Sequence, residues 1–129
     1  MWATEIMSDR RRALELAPEA LFDHFVDLSG RLIKHGNASA AYHLLAASFE
    51  CAKQLRSEEH LAQVERVAGQ FQAQLDSESP THELSAAAAS ERGMPALFVS
   101  LAHTAKAARV GVKSEADLER GGAMRQASE

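Results

Sequence analysis

The stretch SEEHLAQVERVAGQFQAQLD, residues 57–76, decides the fold class. Leu61, Val64, Ala68, Phe71 and Leu75 recur at spacings of three, four, three and four, which places them in one stripe on a helix. Ser57 precedes the stripe as a capping residue, and Glu58 and Glu59 put negative charge in the first turn, where the helix dipole favours it. The spacing predicts an amphipathic helix over about 58–76.

Moving outward, prolines and glycines divide the rest of the chain. Pro18, Pro80 and Pro95 each stand just ahead of a helical pattern, where a missing N–H is harmless. Gly36 and Gly93 follow Lys34-His35 and Glu91-Arg92, as a C-terminal stop requires. Between these marks lie a weak segment at 3–16 and helices expected at 18–35, 38–56, 80–92 and 95–110. In the first of these helices Leu21, Phe25, Leu28 and Leu32 form the expected inward stripe. Ala41, Leu45, Ser48, Ala52 and Leu55 form that of the next, and Phe98, Leu101, Ala105 and Ala108 that of the last. Ser114 with Asp117 three residues on predicts a capped final turn at 115–120. One helical domain over 1–120 follows, with 1–17 a weak N-terminal segment and 121–129 a polar, frayed tail. A shift of 57 residues lays Gly36 on Gly93, Leu44 on Leu101 and Ser57-Glu58 on Ser114-Glu115, a faint internal repeat.

Composition agrees with the pattern. The 129 residues include 25 alanines and 14 leucines, while Val, Ile, Thr, Tyr, Phe and Trp together number 18, too few to furnish a sheet. With apolar residues at 46% and net charge −4, the chain is neither disordered nor suited by charge to a polyanion. Cys51 stands alone, and no apolar run reaches signal-peptide or membrane-helix length, so a cytoplasmic location without a membrane partner is expected.

The segment from Asp23 to Glu58 carries a sequence of large and small residues with known counterparts. Phe25, Leu28, Ser29 and Leu32 on one helix, Gly36 at the turn, and Ala41, Leu45 and Ser48 on the next follow a large, Leu, small, large, turn, small, large, small order. On these residues the segment, about 22–58, resembles a tetratricopeptide repeat, with Ser29 where the family has Gly and Lys53 where it has Pro. The resemblance implies a helical hairpin stack that binds protein on its concave side. The fold expected is all-α: an antiparallel helical bundle or TPR-like hairpin stack of five to six helices.

A second apolar stripe, Phe22, Val26 and Ile33 with Gly30 alongside, remains on the helix at 18–35. In the repeat-like register Val26, Gly30, Ile33 and Lys34 fall on the ligand-facing side. Phe22, Val26, Gly30, Ile33 and Lys34 are therefore the candidate partner-binding residues, for a protein partner or for self-association as a homodimer.

Chemistry-bearing motifs are scarce. The six histidines have neither Glu-x-x-His nor His-x-x-x-His spacing, Cys51 has no ligand neighbour, and no phosphate loop or nucleophile turn occurs. No catalytic residue, metal site or cofactor is expected. His103, Thr104 and Lys106 resemble the phosphoacceptor helix of histidine phosphotransfer domains, with Ala107 in place of the family's Gly. The stretch over 101–120 also resembles a helix-turn-helix, with the turn at Gly111-Val112. That resemblance implies DNA binding, but its second helix would carry Glu115, Asp117 and Glu119, which phosphates repel. The function expected is a non-enzymatic helical adaptor or regulator mediating protein–protein interaction. A DNA-binding regulator and a His103 phosphotransfer protein are the alternatives.

Overall fold

Asn37, Ser57 and Ser85 set three of the helix starts. Their side-chain oxygens accept the backbone N–H of Ala40 (3.3 Å), His60 (3.2 Å) and Ala88 (3.1 Å), donors that no intrahelical carbonyl can serve. The computed structural model of the chain describes residues 17–127, with side chains described through Gly121. These residues form α1 (Pro18–Lys34), α2 (Ala38–Leu55), α3 (Glu58–Glu78), α4 (Ala86–Glu91) and α5 (Leu97–Ala127), with no strand among them. The protein is an all-α helical bundle. The expected segment at 3–16 lies outside the described residues.

α1 packs mainly on α2, and α3 mainly on α5, while α2 also meets α3 and α5. The turn between α1 and α2 is three residues long, and Gly36 at its centre takes φ 79°, which a side chain would disfavour. Leu61, Val64 and Ala68 are fully buried, and Phe71 and Leu75 nearly so, so the stripe read first in the sequence is the inner face of α3. Phe98 of α5 meets Tyr42 of α2 and Phe71 of α3 edge-on, with centroids 5.7 and 5.9 Å apart. Three helices converge on that one ring.

α1 differs from its expected orientation. Leu21, Phe25, Leu28 and Leu32 are only half-buried, whereas Phe22 is at 0% exposure, Ser29 at 0% and Ile33 at 6%. The reason is angular. At about 100° per residue, Ser29 lies between the two stripes and Phe22 and Ile33 on the near edge of the second, so the buried arc is centred there and the first stripe flanks it. Phe22 also lies edge-on to His60 of α3 at 4.6 Å, so the end of α3 covers part of what the sequence left open.

The region after α3 differs too. Residues 80–85 are turns, and α4 begins only at Ala86. Asp76 accepts the Ala86 N–H at 2.8 Å and the Gln72 amide at 2.9 Å, and His82 accepts the Leu84 N–H at 3.0 Å. These acceptors hold residues 80–85 as turns, where the sequence predicted a helix from 80, and leave the run Ala86–Ala89 as the helical part. α5 is continuous through Gly111 and Ser114, where the sequence predicted a break and a new cap. A glycine in mid-helix costs only about 1 kcal/mol. Contacts on both sides of it outweigh that. Arg109 reaches Glu65 of α3 at 3.3 Å, Val112 packs on the core, and Glu115 pairs with Arg56. α5 then continues to Ala127, so the tail expected at 121 begins inside the helix.

The continuity of α5 removes the turn at Gly111-Val112 that a helix-turn-helix over 101–120 would need. It also leaves the 57-residue repeat without structural counterparts in its second half. Ser57 caps a helix while Ser114 lies within one, and Leu61 is at 0% exposure while Leu118 is at 75%.

The lone thiol is packed rather than presented. Cys51 is buried, and that burial, followed by the Glu50 carboxylate beside it, raises its pKa. Native protein at pH 8 should therefore react with iodoacetamide far more slowly than protein in denaturant. Equal rates would place the thiol at the surface.

Candidate site: the groove between α1 and α3

The broad buried arc of α1 ends on the α3 side at Val26 and Gly30. Val26 is half-buried, and Gly30 has no side chain to close the space beside it. A Cβ built on Gly30 would meet no heavy atom within 4 Å. Across the gap α3 presents Val67, Gln70 and Phe71, and together with Asp27, Arg31 and Lys34 these residues line a cleft of ≈ 280 Å³. Past Lys34 a smaller hollow continues between Ile33, Gly36 and the end of α3, reaching Glu78 and His82. The groove is thus an apolar floor along two helices with charge on its α1 rim.

That rim is mainly basic. Arg31 is paired with Asp27 at 3.0 Å, an exposed contact one turn apart. Lys34 makes no ion pair among the described residues. It sits at the C-terminal end of α1, where its charge offsets the exposed carbonyls.

The five residues expected to bind a partner divide into two groups. Val26, Gly30 and Lys34 line the groove, whereas Phe22 and Ile33 are buried, their side chains in the core with residues of α2, α3 and α5. Phe22 and Ile33 therefore support the groove from beneath and offer little surface to a second molecule. Sequence reasoning missed the opposite wall, Val67, Gln70 and Phe71. Phe71 was read only as core, and Val67 is an apolar residue standing beside the α3 stripe, which could have marked it.

The other motif-bearing residues are dispersed. His24, His35, His43 and His103 are exposed. His60 Nδ1 lies 2.6 Å from the Ser57 hydroxyl at the helix cap, and His82 Nδ1 serves a turn. Among the described residues no group of three or more His, Cys, Asp or Glu is placed to hold a metal ion. Nor is any described helix long and apolar enough to cross a membrane. No family model, curated protein or solved structure matches the chain. The class defined by fold and site is a small all-α bundle with an open groove between its first and third helices.

Proposed function

We propose that this chain is a small, non-enzymatic cytoplasmic adaptor that binds a short segment of another protein in the groove between α1 and α3. The observation that carries the reading is the bare Gly30 backbone between two half-buried valines, Val26 and Val67, with Lys34, which has no ion-pair partner among the described residues, at the rim. An amphipathic helical or extended segment would lay its apolar side chains over Gly30 and Val67. An acidic residue of that segment would face Lys34, giving orientation more than affinity. We also read the α1–α2 hairpin and α3 as one tetratricopeptide-like unit and the first helix of a second, on the resemblance carried by residues 22–58. In such a unit the corresponding groove is the ligand side.

Filling the groove tests this without disturbing the core. Gly30→Leu should fold normally, because the added side chain meets open space and leucine favours helix over glycine. Peptides selected on the wild type from a displayed library should lose about tenfold or more in affinity for Gly30→Leu. Lys34→Glu should weaken the acidic ones selectively. A selection whose binders all retain full affinity for Gly30→Leu would remove the groove as the binding site.

A further inference from the structure

α5 is longer than the helix that supports it, with 31 residues against the 21 of α3. Its inner side carries Phe98, Leu101 and Ala105, with Ala108 and Val112 half-buried at the edge of the core. At 100° per residue the opposite side is centred on Ser114 and consists of Ala107, Val110, Ser114, Leu118 and Gly121, all exposed. Val110 is 50% and Leu118 75% exposed, which is high for large aliphatic side chains.

The arrangement along this face is symmetric. Val110 and Leu118 stand four residues before and after Ser114, and the small Ala107 and Gly121 stand seven before and after. We infer that this face pairs with the same face of a second copy, the two α5 helices running antiparallel about a two-fold axis at Ser114. Val110 then packs against Leu118 of the second copy, twice by symmetry. Small residues at the centre and outer turns let the backbones approach closely. Opposed helix dipoles favour the antiparallel sense.

Charge complementarity points to the same occupant. Lys113 and Asp117 lie on one flank of the face, and antiparallel pairing apposes like flanks. Lys113 thereby comes within reach of Asp117 of the second copy twice, on either side of the axis along the same flank. Lys113 makes no ion pair among the described residues, while Asp117 is held only by exposed Arg120 one turn away. This face shares no residue with the groove between α1 and α3.

Sedimentation equilibrium of the full chain over a wide concentration range should show a reversible monomer–dimer equilibrium. Leu118→Glu should weaken it about tenfold or more while leaving the helical spectrum unchanged, because the side chain is exposed in the monomer. Lys113→Asp and Asp117→Lys should each weaken it, and the double exchange should restore it. In a Cys51→Ala background under mild oxidant, Ser114→Cys should cross-link to itself. Val110→Cys and Leu118→Cys should cross-link to each other when mixed, and poorly alone. A chain monomeric at every concentration would overturn the proposal. So would association insensitive to Leu118→Glu, or Val110→Cys cross-linking to itself as readily as Ser114→Cys.

Discussion

Phe98→Ala should lower the stability of the fold by about 3–5 kcal/mol, the cost of removing a large aromatic side chain from a packed interior. Phe98 is at 0% exposure and, among the described residues, is the only ring in edge contact with aromatics of both α2 and α3. Its removal leaves a void where α2, α3 and α5 meet. The lost contacts with Tyr42 and Phe71 add to the lost burial, since such aromatic pairs contribute about 0.5–1.5 kcal/mol beyond area. Against a total stability of about 5–15 kcal/mol, the variant would stand near the threshold of folding. In thermal unfolding the melting temperature should fall by about 10–20 °C. Phe98→Leu retains most of the volume and should lose about 1–2 kcal/mol, which keeps the measurement possible if the alanine variant does not fold. A loss below 1 kcal/mol for Phe98→Ala would mean that the three helices do not converge on this ring.

The second large effect is expected from adding volume. Ser29 on α1 and Ser48 on α2 are both at 0% exposure, and each hydroxyl donates to a carbonyl of its own helix, Val26 O at 2.7 Å and Leu44 O at 3.0 Å. Neither hydroxyl bridges the two helices, so each serine is needed for its size. Ser29→Ala should therefore change stability by less than about 0.5 kcal/mol, because the carbonyl it releases keeps its helical bond. Ser29→Leu should destabilise by about 3 kcal/mol, at the upper end for overpacking, because fully buried Phe22 and Ile33 on the same face leave it no room. Chemical denaturation of the two variants measures the contrast. Equal stability of Ser29→Ala and Ser29→Leu would mean that this face of α1 is open.

The serine contrast also shows how far the sequence could be read. The small positions picked out in the repeat-like pattern, Ser29, Ala41 and Ser48, are all fully buried. The large positions beside them on α1, Phe25, Leu28 and Leu32, are not. Residue size along a helix marks where another backbone comes close. It does not say which of two adjacent stripes faces the interior, because α1 has apolar residues over a wide arc and its neighbours on both sides come from later in the chain. For the same reason three of the five candidate groove residues, Val26, Gly30 and Lys34, line the cleft while Phe22 and Ile33 lie under it. Their counterparts on α3 could be found only once the two helices were side by side.

Local chemistry was decisive wherever a single turn could settle the outcome. Ser57 caps α3, Gly36 and Gly93 take the positive φ that their places after α1 and α4 suggested, and the α3 stripe is buried along its length. Such features depend on residues within four positions of one another, so they are written in the order of the chain. Gly111 and Ser114 had equally good local reasons to break α5. They are overruled by α5 packing on the rest of the bundle, where Ala108 and Val112 lie against the core and Arg109 reaches Glu65, 44 residues away.

The sequence by itself determined that this chain is helical, where most of its helices begin and end, and that it carries no Glu-x-x-His or His-x-x-x-His spacing and no phosphate loop. Only the tertiary structure decided the orientation of α1, the continuity of α5 and the presence of a groove beside Gly30. The physical reason is that helix formation is governed by spacings of three and four residues. The choice of buried face, and the survival of a helix through a glycine, are settled by contacts from distant parts of the chain, worth more than the local preference they override.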